Sequence, residues 1–262
     1  MTAETLHSIR RGAGKPLLLV HGLGSSRHAW SKVMPLLEQQ RELIVIDLPG
    51  HGETPAQADS ATFAGLARSL DEWLDGEGLA GIDMAGSSMG ARLVLEMARR
   101  GRSGAVVALD PGGFWEGWER GFVSTTLGAS EAMLRALRPV LPTLAASAAG
   151  RTILLAQLSA RPWALDGDLV ARELASFADT PTFGPLLADL AFGPLQEGPA
   201  APGSGPVTIG WGRHDRLCLP VQAARAQRAF PGASLIWFEH SGHFPMWDEP
   251  DAVAAAILAG TG

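Results

Sequence analysis

Residues 86–90 read Gly86-Ser87-Ser88-Met89-Gly90. A serine framed by glycines, after the apolar stretch Leu79–Ile82 and ahead of the helical run Ala91–Arg100, fits a tight strand-to-helix turn that pushes its hydroxyl into the open. The chemistry on offer is attack by the Ser88 hydroxyl on a carbonyl carbon, provided a base takes its proton and donors hold the oxyanion that results. With 32 glycines in the chain the pentapeptide also arises as a plain Gly-rich turn, so the other parts of the machinery have to be found independently. Seven histidines and a single cysteine, Cys218, are the remaining reactive candidates. One cysteine excludes an internal disulfide, and no Cys/His or H-E-x-x-H spacing implies a metal.

The elements that must hold such a serine are legible as alternating apolar runs. Pro16–Val20, Leu43–Asp47, Gly81–Gly86, Ala105–Asp110, Pro206–Trp211 and Ser234–Phe238 read as buried strands, continuous rather than alternating in apolarity, as in a parallel sheet covered on both faces. Helical patterns lie between them at Arg27–Gln40, Ala61–Asp75, Met89–Arg100, Pro220–Phe230 and Pro250–Leu258, and Leu6–Arg10 adds a strand at the edge. The fold class expected is α/β: a mostly parallel, twisted sheet flanked by helices.

The alternation stops after Asp110. From Gly112 to Gly205 the only patterns are helical, around Ser130–Leu141, Ala145–Ala160, Asp168–Phe177 and Thr182–Ala191. This divides the chain into a core of residues 1–111 and 206–262 and an inserted helical cap of residues 112–205. The aromatics of the insertion, Trp115, Trp118 and Trp163 among them, either line an apolar substrate cavity or glue the cap to the core.

Composition removes several classes. The 262 residues, 46% of them hydrophobic, suffice for a sizeable core. The formal charge is −6, and the basic residues are scattered among acids with no stripe, so nucleic acid is not an expected partner. The early apolar run Leu17–Val20 is too short for a signal peptide and no stretch reaches the length of a membrane span, which points to a cytoplasmic protein.

Five landmarks in order carry a family resemblance: His21-Gly22-Leu23-Gly24, Asp47-Leu48-Pro49-Gly50-His51-Gly52, the Ser88 pentapeptide, Gly212-Arg213-His214-Asp215 with Pro220, and Ser241-Gly242-His243-Phe244. Together they resemble the α/β-hydrolase superfamily over nearly the whole chain. In that fold the acid follows one late strand and the histidine follows the last, which assigns Asp215 and His243 as partners of Ser88. Asp110, at the end of the strand before the insertion, is the rival acid. The resemblance also implies an oxyanion hole from the backbone N–H groups of Leu23 and Met89, with His21 shaping the first of these loops. His51, His214 and His240 are read as structural.

A serine rather than an aspartate at the elbow sets the chain apart from dehalogenases and epoxide hydrolases. The activity implied is hydrolysis of a small-molecule carboxylic ester, an apolar acyl ester, through an acyl-enzyme and without a cofactor. Alternatives on the same three residues are C–C bond or enol-lactone hydrolysis, perhydrolysis and lyase chemistry, and beyond enzymes a ligand-binding member of the superfamily. Arg92, four residues past Ser88, either pairs with an acid on its own helix or binds a substrate carboxylate.

Overall fold

The computed structural model of the chain describes residues 6–262. The first five residues, assigned by the sequence to the core, lie outside the described residues. Strands β1 (Ser8–Arg11), β2 (Lys15–Val20), β3 (Arg41–Ile46), β4 (Asp83–Ser87), β5 (Val106–Leu109), β6 (Val207–Gly212) and β7 (Ser234–Phe238) form one sheet in the order β1-β3-β2-β4-β5-β6-β7. Six of them run parallel. Only β1 is antiparallel, with Ser8 opposite Ile46 and Arg11 opposite Leu43. The edge strand expected over Leu6–Arg10 is thus present as β1, Ser8–Arg11.

The continuous apolarity of the strands has a direct cause. Leu18, Val20, Ile44, Ile46, Met84, Val106 and Ala108 feed one core, while their neighbours Leu17, Leu19, Leu43, Val45, Ala85, Val107 and Leu109 feed a second core on the opposite face. Residues that alternate in direction are buried on both sides, so no polar face remains. Helices α1 (Met34–Leu37), α2 (Phe63–Gly76) and α3 (Met89–Arg99) follow β2, β3 and β4. Between β5 and β6 lie α4 (Glu119–Ala136), α5 (Leu141–Ala146), α6 (Ala148–Leu155), α7 (Gly167–Asp179) and α8 (Phe183–Phe192). Helix α9 (Val221–Ala229) follows β6, and α10 (Pro245–Asp248) and α11 (Pro250–Thr261) follow β7. Residues of α2, α3 and α9 belong to the first core, those of α1 and α11 to the second.

Several elements depart from the sequence reading. The helix expected over Arg27–Gln40 is a 3-10 turn at Arg27–Trp30 followed by the single turn of α1. Pro35 has no N–H to donate back along a helix, which ends any continuous ladder there. Helix α4 starts at Glu119, well before Ser130, because Gly121, Gly128 and a run of Ser and Thr mask its propensity while Val123 and Leu127 are buried. The stretch Ala145–Ala160 is broken by Ser147, whose backbone is extended and whose hydroxyl caps the next helix by accepting from Gly150 N.

Asp83, an acid in an apolar strand, sits at the start of β4, buried with Arg41. It accepts from Arg41 Nη2 at 2.7 Å and from Ala105 N at 2.9 Å, and Lys15 Nζ lies 2.8 Å away. Arg41 also donates to the carbonyls of Lys15, Pro16 and Thr261, so this buried pair joins three strand starts to the end of α11. The clasp lies at the opposite end of the strands from Ser88.

The helical insertion packs largely on itself, α4 against α7 and α8 and α5 against α6 and α7. Its contacts with the rest of the molecule include α7 against the 3-10 turn Arg27–Trp30, α8 against α2, Arg225 paired with Glu119 and Ala160 N donating to Asp248. Among the described residues no helix is long and apolar enough to cross a membrane.

Candidate active site

Ser88 stands at the junction of β4 and α3 with φ 56° and ψ −115°, a backbone conformation that costs an ordinary L residue on the order of 1–3 kcal/mol. Close packing holds the turn in place. A Cβ on Gly86 would lie 2.3 Å from Gly90 O, and one on Gly90 would lie 2.3 Å from Val20 O. The two glycines of the pentapeptide therefore let α3 pass directly over β2 and β4, with Ser88 at the apex between them.

His243 and Asp215 complete a hydrogen-bonded line. His243 Nε2 is 2.9 Å from Ser88 Oγ, and its Nδ1 is 2.8 Å from Asp215 Oδ2. The other oxygen of Asp215 accepts from Leu217 N at 2.7 Å and Cys218 N at 3.0 Å, which fixes the carboxylate at the end of β6. The loop that carries His243 after β7 is pinned by Asp248, which accepts from Gly242 N at 2.8 Å and Ala160 N at 2.9 Å. Asp215 and His243 are both buried. If Nδ1 carries the proton shared with Asp215, Nε2 is free to accept one from Ser88.

Asp110 also lies close to this line but does not reach His243. It has φ 46°, is fully buried, and its Oδ1 accepts from Gly212 N at 2.8 Å. Burial, and then the neighbouring Asp215 charge, push its carboxyl well above the usual carboxylate range. Through its bond to Gly212 N, Asp110 supports the turn bearing Asp215.

The loop after β2 curls back over Ser88. Gly22 packs so closely that a Cβ there would touch the Ser88 Cβ at 3.1 Å. His21 fixes this loop: its Nε2 accepts from Leu48 N at 3.0 Å, which leaves Nδ1 to donate to Gly22 O at 2.8 Å. Burial lowers its pKa, so the ring stays neutral and the tautomer is set by these two bonds. Leu23 and Met89 border the space in front of Ser88. As the first residue of α3, Met89 has an N–H with no intrahelical acceptor, and the Leu23 N–H meets no acceptor among the described residues.

That space is a cavity of about 30 Å³, open on one side and walled almost entirely by apolar groups. Arg92 and Trp115 line it. Trp118 and Trp163 do not: they are 67% and 53% exposed, Trp118 stacking edge-on against Phe122 and Trp163 in a surface 3-10 turn. Both stand on the outside of the insertion, away from this cavity. The walls that sequence reasoning missed are Val123, Leu127, Leu187 and Leu190 from the insertion, and Leu217 and Cys218 after β6. Nothing in their residue type separates them from ordinary core.

Asp215, Cys218 and His243 place one potential metal-ligand atom each within 4.8 Å of one another. These atoms are already committed. Both His243 nitrogens and both Asp215 oxygens are hydrogen-bonded, and burial raises the Cys218 thiol pKa so that it stays protonated. The donor set suits proton transfer and not metal ligation. Of the remaining histidines, His51 is buried against His21 with its pKa lowered by burial to about 3, and His214 and His240 border a surface cleft with Arg161 and Arg216.

A parallel sheet with this strand order and a serine at its central crossing defines a class, and the sequence profile of the alpha/beta hydrolase family matches residues 17–256. The chain belongs to that family and is a hydrolase. Its full-length likenesses include an uncharacterized protein of Mycobacterium tuberculosis, 28% identical over 94% of this chain and 76% of the relative. Among solved structures, a thermophilic esterase from Thermogutta terrifontis superposes with a TM-score of 0.75 at 22% identity, covering 97% of this chain and 92% of the other. The enol-lactonase from Burkholderia xenovorans does so with a TM-score of 0.74 at 19% identity, covering 97% and 95%.

Proposed function

We propose that the chain is a serine hydrolase of small carboxylic esters, with Ser88 as nucleophile, His243 as general base and acid, and Asp215 as the group that orients His243. The observation that carries this reading is the continuous line from Asp215 Oδ2 through His243 to Ser88 Oγ, with both links at hydrogen-bond length. Ser88 Oγ attacks the ester carbonyl carbon while His243 Nε2 takes its proton. The tetrahedral oxyanion is held by the N–H groups of Leu23 and Met89, at the positive end of α3. As the C–O bond breaks, His243 returns the proton to the departing alcohol oxygen, leaving Ser88 acylated. Water, deprotonated by His243, then attacks the acyl carbon and releases the acid with Ser88 regenerated.

Residues 112–205 act as the cap over a core of residues 1–111 and 206–262, and the Leu and Val side chains they contribute suit a short apolar acyl group. The test is hydrolysis of p-nitrophenyl esters from acetate to decanoate by the wild type and Ser88→Ala. We expect an optimum among short chains and a loss on the order of 10⁴-fold or more in the variant. Turnover that survives Ser88→Ala would refute the nucleophile assignment. Absence of turnover across the whole series in the wild type would move the reading to C–C bond hydrolysis or lyase chemistry.

A further inference from the structure

One wall of the cavity differs from the rest. Arg92 is 2% exposed, yet its guanidinium makes no ion pair among the described residues. Its Nη2 donates to Pro194 O at 2.6 Å and the plane lies 3.9 Å above the Phe63 ring. Its Nε and Nη1 have no acceptor, and neither does Nε1 of Trp115, a residue 5% exposed on the same cavity. The acids close enough to influence Arg92, Asp189 and Glu96, are engaged elsewhere: Asp189 accepts from Phe63 N and Glu96 from Arg99 and Arg100.

A buried cation met only by a π face and one carbonyl is costly, and unpaired N–H donors add to that cost. The arrangement is also rigid. A Cβ on Gly113 would lie 2.8 Å from Arg92 Nε and 3.0 Å from the Gln196 Cβ, so the guanidinium is boxed in by backbone that only glycine allows at φ +95°. Burial lowers the Arg92 pKa to about 10, which leaves it charged at neutral pH. Arg92 lies one turn beyond Ser88, its N–H bonded to Ser88 O at 3.0 Å, which is a rise of roughly 6 Å along α3.

We propose that Arg92 and Trp115 form an anion subsite in the floor of the cavity, and that the preferred substrate is a small ester or lactone carrying a carboxylate a few bonds from its scissile carbonyl. The proposal rests on the Ser88 hydrolase reading for the word ester, and on the donors alone for the word carboxylate. The unpaired guanidinium donors and the indole N–H bind the carboxylate oxygens, and the leucines around them exclude water and strengthen the contact.

The experiment compares matched pairs that differ only in charge. The first pair is 4-nitrophenyl hemiglutarate and its methyl ester, with the carboxylate on the acyl side. The second is the butyrate ester of 4-hydroxybenzoate and of methyl 4-hydroxybenzoate, with the carboxylate on the leaving group. We expect kcat/KM of the wild type to favour the anion in one pair by about 10- to 100-fold, and Arg92→Met to erase that ratio. Trp115→Phe, which removes only the N–H donor, should lower the ratio several-fold and serves if the arginine variant fails to fold. No preference for the anion in either pair overturns the subsite, and so does a preference that survives Arg92→Met. If Ser88→Ala leaves turnover intact the hydrolase reading falls, while the subsite is still tested by glutarate, which should raise the melting temperature of the wild type and not of Arg92→Met.

Discussion

The strand ends and the helical insertion meet at the same cavity but are built on different terms. At the ends of β4, β5 and β6 the backbone itself is specified: Ser88 and Asp110 have positive φ, two glycines sit where no Cβ fits, and Asp110 and Asp215 are each held by backbone N–H groups. The insertion is built from helices packed on each other, with Trp118, Ile153, Trp163 and Phe192 left exposed. Proton transfer tolerates little displacement, so on the function proposed above the chemistry falls to rigid strand ends and the choice of substrate to side chains that can be exchanged without moving the backbone.

The sharpest way to break this comparison is at the two acids. We expect Asp215→Asn to lower kcat on the order of 10³- to 10⁴-fold, because the amide cannot hold His243 in the same tautomer, and Asp110→Asn to cost roughly tenfold or less. Steady-state kinetics of both variants on one short ester decide it. Equal losses would mean that the proton relay is shared between two strands and that the site is less strictly placed than its backbone suggests.

A smaller effect is expected where the two regions are latched together. Glu173 of α7 is buried against the loop after β2, accepting from Ser25 Oγ at 2.5 Å and Ser26 Oγ at 3.4 Å. Burial lifts its pKa to about 7 from the ordinary 4.5. The folded protein therefore keeps a proton that the unfolded chain loses between those values, and this contribution is complete below pH 4.5 and disappears as pH rises through 7. Glu173→Gln should remove a decline on the order of 3 kcal/mol over that window. Melting temperatures of the two proteins taken across the same pH range would show parallel curves if the latch is uncharged throughout. The smallest effect belongs to the outer surface of the insertion: Trp118→Ala should change kcat/KM for a short ester by less than about twofold, and a large change would extend the site beyond the cavity.

The same division governs what can be read in the amino-acid sequence. The β-strands and the Ser88 turn are legible because local composition dictates them: apolar runs for strands buried on both faces, and small residues where chains touch. The insertion is less so. Helix α4 is masked by its own glycines, and Trp115 is no different in type from Trp118 or Trp163, although only Trp115 lines the cavity. Asp83 makes sense only once Arg41 and Lys15, far away in sequence, are brought beside it. The unpaired donors of Arg92 are likewise invisible in one dimension, since a missing partner is a property of the packed state.

The left-handed backbone at Ser88 bears on laboratory evolution of this chain. Glycine is the residue most at ease in that conformation, and at Ser88 it would bring relief on the order of 1 kcal/mol or more. A screen that rewards heat tolerance alone therefore has an easy path to a sturdier protein with no hydroxyl at its elbow, and only a screen that also demands product keeps the serine in place.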